Sequence, residues 1–236
     1  MRQIGRDLAF GIRLLRRAPG FAGIAALVVA LGIGTTTAIF SVVYGVMLRP
    51  LPYPEPDRLV ALWSRLPNSV QRARVNPADH RDLRRINSVF EDIALANAPQ
   101  NFNLIGSGEP ERLVAARLSS NLLSVLRESP ALGRAFTSDE EQSGNDRVVL
   151  LSDGLWRRRF GADPSIVGRT INLSGNPYEV VGVMRPDFQF PEREHQIWIP
   201  LTINPRVLAR QMASYDHLAV ARLKRGVGIE QAARGR

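Results

Sequence analysis

Residues 21–48 form an uninterrupted apolar run that contains no charged residue. An uncharged run of about 18 or more residues is typical of a membrane-spanning helix, because a helix satisfies its own backbone hydrogen bonds inside lipid. At about 1.5 Å of rise per residue the run would extend roughly 40 Å, whereas the hydrocarbon core is about 30 Å thick. We therefore predict a transmembrane helix over residues 21–48 that tilts or projects at one end.

Two other interpretations of this run are weaker. A buried core helix rarely stays apolar on all faces over so many turns. A cleaved signal peptide normally has an apolar region of about 7–15 residues that ends at small side chains. This run instead ends in Val46, Met47 and Leu48, followed by Arg49. A membrane anchor is therefore the preferred interpretation.

Small side chains recur at every fourth position of the run, at Ala22, Ala26, Ala30, Gly34 and Ala38. This spacing allows two helix backbones to approach closely in a bilayer. Such stripes also arise by chance in alanine-rich helices. We predict a helix-packing face at these five residues, which implies neighbouring membrane helices.

Residues 1–20 are predicted to form a basic amphipathic helix, with Ile4, Leu8, Ile12 and Leu15 at helical spacing. A basic amphipathic helix beside a membrane segment lies against anionic lipid, although a short solvated helix is the alternative. The arginines nearest the apolar run are Arg13, Arg16 and Arg17. The positive-inside rule places such a cluster in the cytoplasm. We predict that these arginines contact lipid there. Because residues 21–48 would cross the membrane once, everything after residue 48 would lie outside the cytoplasm.

The formal net charge of +9 does not indicate nucleic-acid binding. The arginines are dispersed and Lys224 is the only lysine, so no basic block is long enough to follow a phosphate backbone. The absence of cysteine removes disulfides, thiol catalysis and cysteine-based metal sites. His80, His195 and His217 lack the spacing of a metal motif, and we interpret them as surface or hydrogen-bonded residues. We predict no catalytic, cofactor-binding or metal-binding residue.

The rest of the chain predicts a mixed α+β domain over residues 57–236, after a proline-rich linker at residues 49–56. Residues 101–105 and 111–118 alternate around Gly106-Ser107-Gly108, which indicates a β-hairpin. Residues 147–152 indicate a buried strand, and residues 196–201 an edge strand. A helix opens at Asn76, with Leu83, Ile86, Phe90 and Ile93 at helical spacing. Trp63, Trp156 and Trp198 are predicted core residues.

Several of these segments resemble the N-terminal part of MacB-type ABC transporter permeases, which carry an FtsX-like membrane module. The resemblance is strongest to the duplicated orphan permeases described from acidobacteria. The segments that carry it are LLRRAPGF, LGIGTTTAIFSVVYGVMLRPLPYPEPDRLV, GEPERLVAARLS, LGRAF, LWRRRFGADPSIVGRTINLSGNPYEVVGVM, FPEREHQIWIPL and ARLKRGVGIEQA. One departure is VLRESPALGRAF, because the family usually has a glycine-containing turn near Arg127-Glu128.

The resemblance implies an inner-membrane permease in which movement of membrane helices is passed to a MacB-like periplasmic core domain. The domain would be incomplete at its C-terminus, because Ile229, Ala232 and Ala233 look like the first turn of a helix whose remainder is missing. By the resemblance, further membrane helices and an ATPase-contacting loop are expected beyond Arg236. The implied partners are membrane lipid and further permease helices or subunits. A separate cytoplasmic ATPase and a periplasmic partner remain open. The alternative is a membrane-tethered periplasmic interaction module without transport activity.

Overall fold

The computed structural model describes residues 19–43, 52–65, 72–97, 100–106, 108–203 and 215–234. The chain divides into two compact units, Met1–Leu51 and Pro52–Arg236. The first contains helix α1 (Pro19–Val43) and the second contains all the strands given below. The fold class predicted from the sequence is confirmed, namely one N-terminal apolar helix followed by a mixed α/β domain.

Helix α1 has the length and apolar composition to cross a membrane over Pro19–Ser41. None of its described side chains is buried, and large apolar residues such as Phe21 and Leu31 are largely exposed. The polar Thr35 and Thr36 satisfy themselves, because each hydroxyl donates to the carbonyl four residues earlier, at 2.7 and 2.9 Å. The helix therefore presents an almost wholly apolar surface. Residues 44–48 of the predicted helix lie outside the described residues.

In the second unit, ten of the described strands form one mixed sheet. The strands of this sheet are β1 (Leu59–Leu62), β4 (Phe90–Ala96), β5 (Gln100–Ile105), β6 (Glu111–Leu118), β7 (Leu132–Gly133), β8 (Val148–Leu151), β9 (Thr170–Leu173), β10 (Asn176–Val183), β11 (Ile197–Pro200) and β12 (Leu218–Leu223). Two short strands, β2 (Ser64–Arg65) and β3 (Arg72–Ala73), pair separately. The short helices are α2 (Pro77–Ile86), α3 (Leu122–Leu126), α4 (Asp153–Phe160) and α5 (Ile229–Arg234).

Six of these strands close into a barrel in the order β5, β6, β11, β8, β10, β9 and back to β5. The predicted hairpin forms one side, with β5 antiparallel to β6 from Gln100↔Ala115 to Leu104↔Glu111. The contacts β6–β11 and β8–β10 are parallel, whereas the other four are antiparallel. Beyond the residues that pair with β5, β6 pairs at Leu118 with Ala96 of β4, and β4 leads through β12 to β1. An open arm therefore extends from the closed barrel.

Strand β8 of the barrel is buried on both faces, which explains why its sequence is a continuous apolar run. Val149 and Leu151 point into the barrel, where every one of the six strands contributes side chains to one core. Val148 and Leu150 point outward into a second core, which α3 and Trp198 cover. The predicted buried strand at residues 147–152 is thus confirmed, and its alternate residues serve two different cores.

Helix α2 begins where the sequence predicts, but it ends earlier. Asn76 caps it, since its side-chain oxygen accepts from the Ala78 N–H at 2.8 Å. The helix stops at Ile86, and Asn87 then bonds through its side chain to the backbone of Val89 and Phe90. Phe90 and Ile93 lie in β4, so their assignment to the helix is wrong. The helical spacing of apolar residues continues across the asparagine turn between α2 and β4, so the spacing alone did not reveal the turn.

Strand β11 is central rather than an edge strand, which corrects a second prediction. It lies between β6 and β8, and all four of its residues are buried. Pro200 is tolerated because only Ile197 and Trp198 pair with β8, so the missing N–H does not interrupt that ladder. Trp198 is fully buried and Trp156 packs partly against the barrel core, whereas Trp63 is 45% exposed and does not belong to the core.

Candidate functional site at the strand junction

The first and last strands of the sheet arm are direct neighbours. β1 pairs antiparallel with β12, and Leu59 lies opposite Arg222. The beginning of β1 therefore lies beside the end of β12. The chain that leads out of the apolar run and the chain that leaves the last strand meet at this point.

Six charged side chains gather at this meeting point, and we call them the junction cluster. They come from the segment before β1, from β4, from the end of α3 and from the end of β12. The members are Glu55, Arg58, Glu91, Arg127, Arg222 and Arg225. Four arginines thus surround two glutamates, and the cluster keeps an excess of positive charge.

Glu55 contacts all four arginines of the cluster. Its carboxylate accepts from Arg58 Nη1 at 2.6 Å and forms a close ion pair with Arg127. Arg222 Nη1 and Arg225 Nη2 lie 3.8 and 3.9 Å from its oxygens. Neutralising this one carboxylate would leave several arginines facing one another, so Glu55 is the residue on which the cluster depends most.

Arg58 joins the beginning of β1 to two other strands. Its guanidinium pairs with Glu91 on β4 and donates to the Leu223 carbonyl on β12, from Nε at 3.0 Å and from Nη2 at 2.6 Å. The hydrogen bond with Glu91 raises the pKa of Arg58, and the same bond lowers the pKa of Glu91. Both groups are therefore charged across the physiological range, so a change of pH within that range does not remove the ion pair between Arg58 and Glu91.

Arg222 is a buried cation, only 1% exposed. Its Nε donates to the Val125 carbonyl of α3 at 2.7 Å, and its Nη1 donates to the Glu55 carbonyl at 3.3 Å. Nη2 has no hydrogen-bond partner among the described residues. Burial lowers the pKa of Arg222, and the neighbouring Arg127 and Arg58 lower it further. A buried charge of this kind is costly unless its partners hold it, so Arg222 ties β12 firmly to α3.

Two residues of the cluster have left-handed backbone conformations, Glu55 with φ 50° and Arg127 with φ 58°. For a residue with a β-carbon this conformation costs on the order of 1–3 kcal/mol, and such residues concentrate at functional sites. Arg127 lies at the turn where MacB-type permeases, the family that the sequence resembles, usually have glycine. It adopts the conformation that glycine takes freely and places its guanidinium against Glu55 and Glu91. The departure in sequence thus supplies a member of the cluster.

Tyr53 fixes the segment just before the cluster. The side chain is buried in the core beside α3, and its hydroxyl donates to the Gln189 carbonyl at 3.2 Å. Burial, together with the charge of Glu128, raises the pKa of Tyr53 to about 12. The second compact unit accordingly begins at Pro52, within the proline-rich segment.

The residues predicted to pack against membrane helices all lie on α1. Ala22, Ala26, Ala30, Gly34 and Ala38 are at most partly covered. Each step of four residues turns about 40° around a helix, so the stripe winds gradually around it. A β-carbon added at Gly34 would meet no atom within 4 Å. The packing face remains a prediction, and Arg13, Arg16 and Arg17 lie outside the described residues.

The three histidines are buried rather than exposed. His80 Nε2 lies 3.0 Å from the Ile93 carbonyl oxygen, and burial lowers the pKa of His80, so it is neutral at physiological pH. It lines a cavity of about 560 Å³ beside α2. His217 lies next to Asp216, and burial lowers its pKa as well. In the part of the chain that the structure describes, no three His, Asp or Glu side chains group as metal ligands would.

Sequence reasoning missed the junction cluster, because its members are dispersed over residues 55–225. One signal was present. Arg222 interrupts the apolar strand HLAVARL, and an arginine at a buried strand position requires partners elsewhere in the fold. The partners themselves could not be identified without the pairing of β1 with β12.

The profile of the MacB-like periplasmic core domain family matches residues 22–235 of this chain. The chain belongs to that family. It is therefore a MacB-like periplasmic core domain of an ABC-type permease, preceded by one apolar helix that can cross a membrane. Domains of this kind are normally non-catalytic, and MacB-type permeases function in ABC transporter complexes. No match is found among curated proteins.

Two solved structures share the fold. The periplasmic region of MacB from Actinobacillus actinomycetemcomitans is 16% identical with a TM-score of 0.53, and the match covers 69% of this chain and 71% of that one. A domain assigned to a permease protein from Porphyromonas gingivalis is 15% identical with a TM-score of 0.58, covering 75% of this chain and 80% of that one. At these identities the likeness shows the fold alone.

Proposed function

We propose that this chain is the N-terminal part of an inner-membrane ABC transporter permease of the MacB/FtsX-like type. In this proposal α1 spans the membrane, the N-terminus lies in the cytoplasm and the domain from Pro52 onward lies in the periplasm. The length and composition of α1, the family of the domain and the arginines before α1 support it. The predicted subgroup, that of acidobacterial orphan permeases, is part of the same proposal.

The proposed role is mechanical, with export or mechanotransmission as its outcome. Movement of membrane helices would reach the periplasmic domain through the chain that joins them. The junction cluster carries this proposal, because it connects the segment before β1 and the end of β12 with β4 and α3. A pull on Pro52–Arg58 would therefore act on the barrel side of the domain as well as on β1.

The linkage can be tested by amide hydrogen exchange on the full chain in detergent. Glu55→Gln removes the carboxylate that four arginines share, so we expect faster exchange in α3 (Leu122–Leu126) and β4 (Phe90–Ala96) as well as near the substitution. Asp57→Asn is the matched control, since Asp57 is exposed, two residues away and outside the cluster. Faster exchange confined to residues 52–62 would contradict the linkage.

The permease assignment can be tested on the gene. The reading frame beyond codon 236 should encode three further apolar runs of about 20 residues, which would supply neighbours for the predicted packing face. A stop codon with no such sequence downstream would contradict the permease assignment for this product. It would favour the rival function, a membrane-tethered periplasmic interaction module. The proposed partners are membrane lipid and further permease helices or subunits, with a separate cytoplasmic ATPase and a periplasmic partner as further candidates.

A further inference from the structure

One face of the sheet arm is covered by α2 and α5, and each helix leaves a large aliphatic side chain uncovered. Leu83 of α2 and Ala232 of α5 pack over the core that contains Phe90. Ile86, the last residue of α2, is 71% exposed, and Ile229, the first residue of α5, is 65% exposed. Each helix thus covers the core with one apolar side chain and presents another to its surroundings.

The pairing of the strands brings both isoleucines to the same end of the arm. The first residue of β4 lies opposite the last residue of β12, and β1 begins beside them. The Lys224 N–H donates to the Val89 carbonyl at 2.9 Å, so the chain that leaves β12 lies against the chain that enters β4. Ile86 comes three residues before Val89, and Ile229 comes five residues after Lys224.

Three basic side chains accompany the isoleucines, and we call these five residues the arm-end surface. Arg225 has a side chain that is 80% exposed, and its contact with Glu55 is long, at 3.9 Å. Arg85 and Lys224 are exposed and have no salt bridge within the described residues. The Lys224 ammonium donates only to the Ser88 carbonyl, at 2.9 Å. Exposed aliphatic residues with arginine and lysine beside them are typical of proteins that rest on a membrane surface.

The carboxylates at this end of the arm do not make it acidic. Glu55 and Glu91 pair with arginines of the junction cluster. The remaining ones are Asp57, Glu128 and Glu230, which come from three different segments. The four arginines of the junction cluster, together with Arg85 and Lys224, outnumber these five carboxylates.

A short stretch of chain ties this end of the domain to the predicted membrane run, which ends at Leu48. Tyr53 is already buried in the core of the domain. The five residues from Leu48 to Tyr53 span at most about 18 Å, even when fully extended. Glu55 and Arg58 follow directly and belong to the junction cluster, at the end of the arm where β1 begins. If α1 crosses the membrane, as the proposed function requires, this end of the arm is therefore the part of the domain with the shortest tether to lipid.

We propose that the arm-end surface docks on the phospholipid surface of the membrane that α1 crosses. Ile86 and Ile229 would enter the boundary between headgroups and acyl chains. Arg85, Lys224 and Arg225 would bind headgroup phosphates, with their aliphatic stems beside the isoleucines. This inference rests on the proposed function, and it adds a direct contact between lipid and the end of the arm from which β1 starts.

Docking is tested with the full chain in nanodiscs of phosphatidylcholine and phosphatidylglycerol that contain a lipid with a nitroxide on its headgroup, which quenches a nearby fluorophore. Because the chain has no cysteine, Ser88→Cys places a single label at the arm end and Glu109→Cys places one elsewhere, both at exposed positions. β4 and β6 run antiparallel and meet at Ala96↔Leu118, so the start of β4 and the start of β6 point away from that contact in opposite directions. Quenching of the label at residue 88 should exceed quenching at residue 109 several-fold.

The double variant Ile86→Ser/Ile229→Ser should lower quenching of the label at residue 88 to the level seen at residue 109. Both isoleucines are exposed, so the fold should persist. Ile105→Ser is the control, because Ile105 is an exposed isoleucine on β5, outside the arm-end surface, and it should be quenched as the parent is.

Insertion of the chain into the nanodiscs reports on α1 separately, so a missing anchor appears as failure to insert rather than as a loss of quenching. Equal quenching of the two labels in inserted chains, or unchanged quenching in the double isoleucine variant, would overturn the proposal. If the label at residue 88 escapes quenching and two chains in one nanodisc cross-link through Ser88→Cys, the surface belongs to a second copy, and the proposal is likewise overturned.

Discussion

Helix α1 and the domain that begins at Pro52 use the same kinds of side chain in opposite ways. On α1 the leucine, isoleucine and phenylalanine side chains are exposed and no charged residue is present over residues 21–43. In the domain the same residue types fill the inside and one outer face of a barrel, while charged groups gather at the junction cluster. The domain therefore covers its own apolar surface, whereas α1 requires an apolar environment from outside its own residues.

The contrast extends to polar groups. On α1 the hydroxyls of Thr35 and Thr36 bond to their own helix. In the domain, Arg222 and Tyr53 reach partners far away in the sequence. The helix thus needs no tertiary polar contact to remain intact, whereas the domain depends on bonds between remote segments.

The largest effect should come from the core of the domain. Trp198→Ala removes a fully buried side chain that bonds to the Phe190 carbonyl at 2.6 Å, so the free energy of unfolding should fall by about 3–5 kcal/mol. Trp63→Ala is the matched control, since Trp63 is 45% exposed, and it should change stability by less than about 0.5 kcal/mol. Denaturant unfolding followed by fluorescence measures both. Equal losses would contradict the assignment of the core.

Arginine substitutions at exposed apolar residues of α1 and of the domain test whether α1 is the membrane anchor. Leu31→Arg places a charge near the middle of the helix, where insertion into a bilayer costs about 2.5–3.5 kcal/mol. The fraction of chain that resists carbonate extraction from membranes should therefore fall sharply. Ile105→Arg is an equivalent change at an exposed domain residue, and extraction should not respond to it. If Leu31→Arg stayed fully membrane-bound, α1 would not be the anchor.

Alkaline pH should weaken the domain through Tyr53. Its pKa is about 12 in the folded chain, against an ordinary value of 10.0, so folding favours the neutral phenol. The stabilisation is complete below pH 10 and is lost as the pH rises toward 12, by about 2–3 kcal/mol in total. Denaturant unfolding at a series of pH values measures the loss. Tyr53→Phe should flatten this part of the pH profile, and an unchanged slope in that variant would place the cause elsewhere.

The smallest predicted effect isolates the strain at Arg127. Arg127→Gly and Arg127→Ala remove the same ion pairs, but only alanine keeps a β-carbon in the left-handed conformation. The glycine variant should therefore be more stable than the alanine variant by about 1 kcal/mol. Thermal or denaturant unfolding of the two variants gives the difference directly. Equal stability would mean that the backbone at residue 127 is unstrained.

Local patterns in the sequence were enough to predict several elements of the fold. The β5–β6 hairpin and the strand β8 follow from alternation, an apolar run and turn residues, all of which act over a few positions. The end of α2 was missed because Phe90 and Ile93 continue its spacing by coincidence. The central position of β11 and the closure of the barrel depend on pairings between strands far apart in sequence, which no local pattern encodes.

The candidate site was invisible for the same reason. Glu55 and Arg222 are brought together only by the pairing of β1 with β12. In the sequence the arginines are dispersed, so they gave no sign of a cluster. The chemistry of the junction cluster thus arises from tertiary contacts, whereas the predicted stripe on α1 is a property of one helix.

The proposed function depends above all on which side of the membrane the domain occupies. Because the chain has no cysteine, single cysteines report topology without background. In spheroplasts, a membrane-impermeant maleimide should label Glu194→Cys in the domain and should label Ala9→Cys only after lysis. Labelling of Ala9→Cys in intact spheroplasts, with Glu194→Cys protected until lysis, would contradict a periplasmic domain anchored by α1.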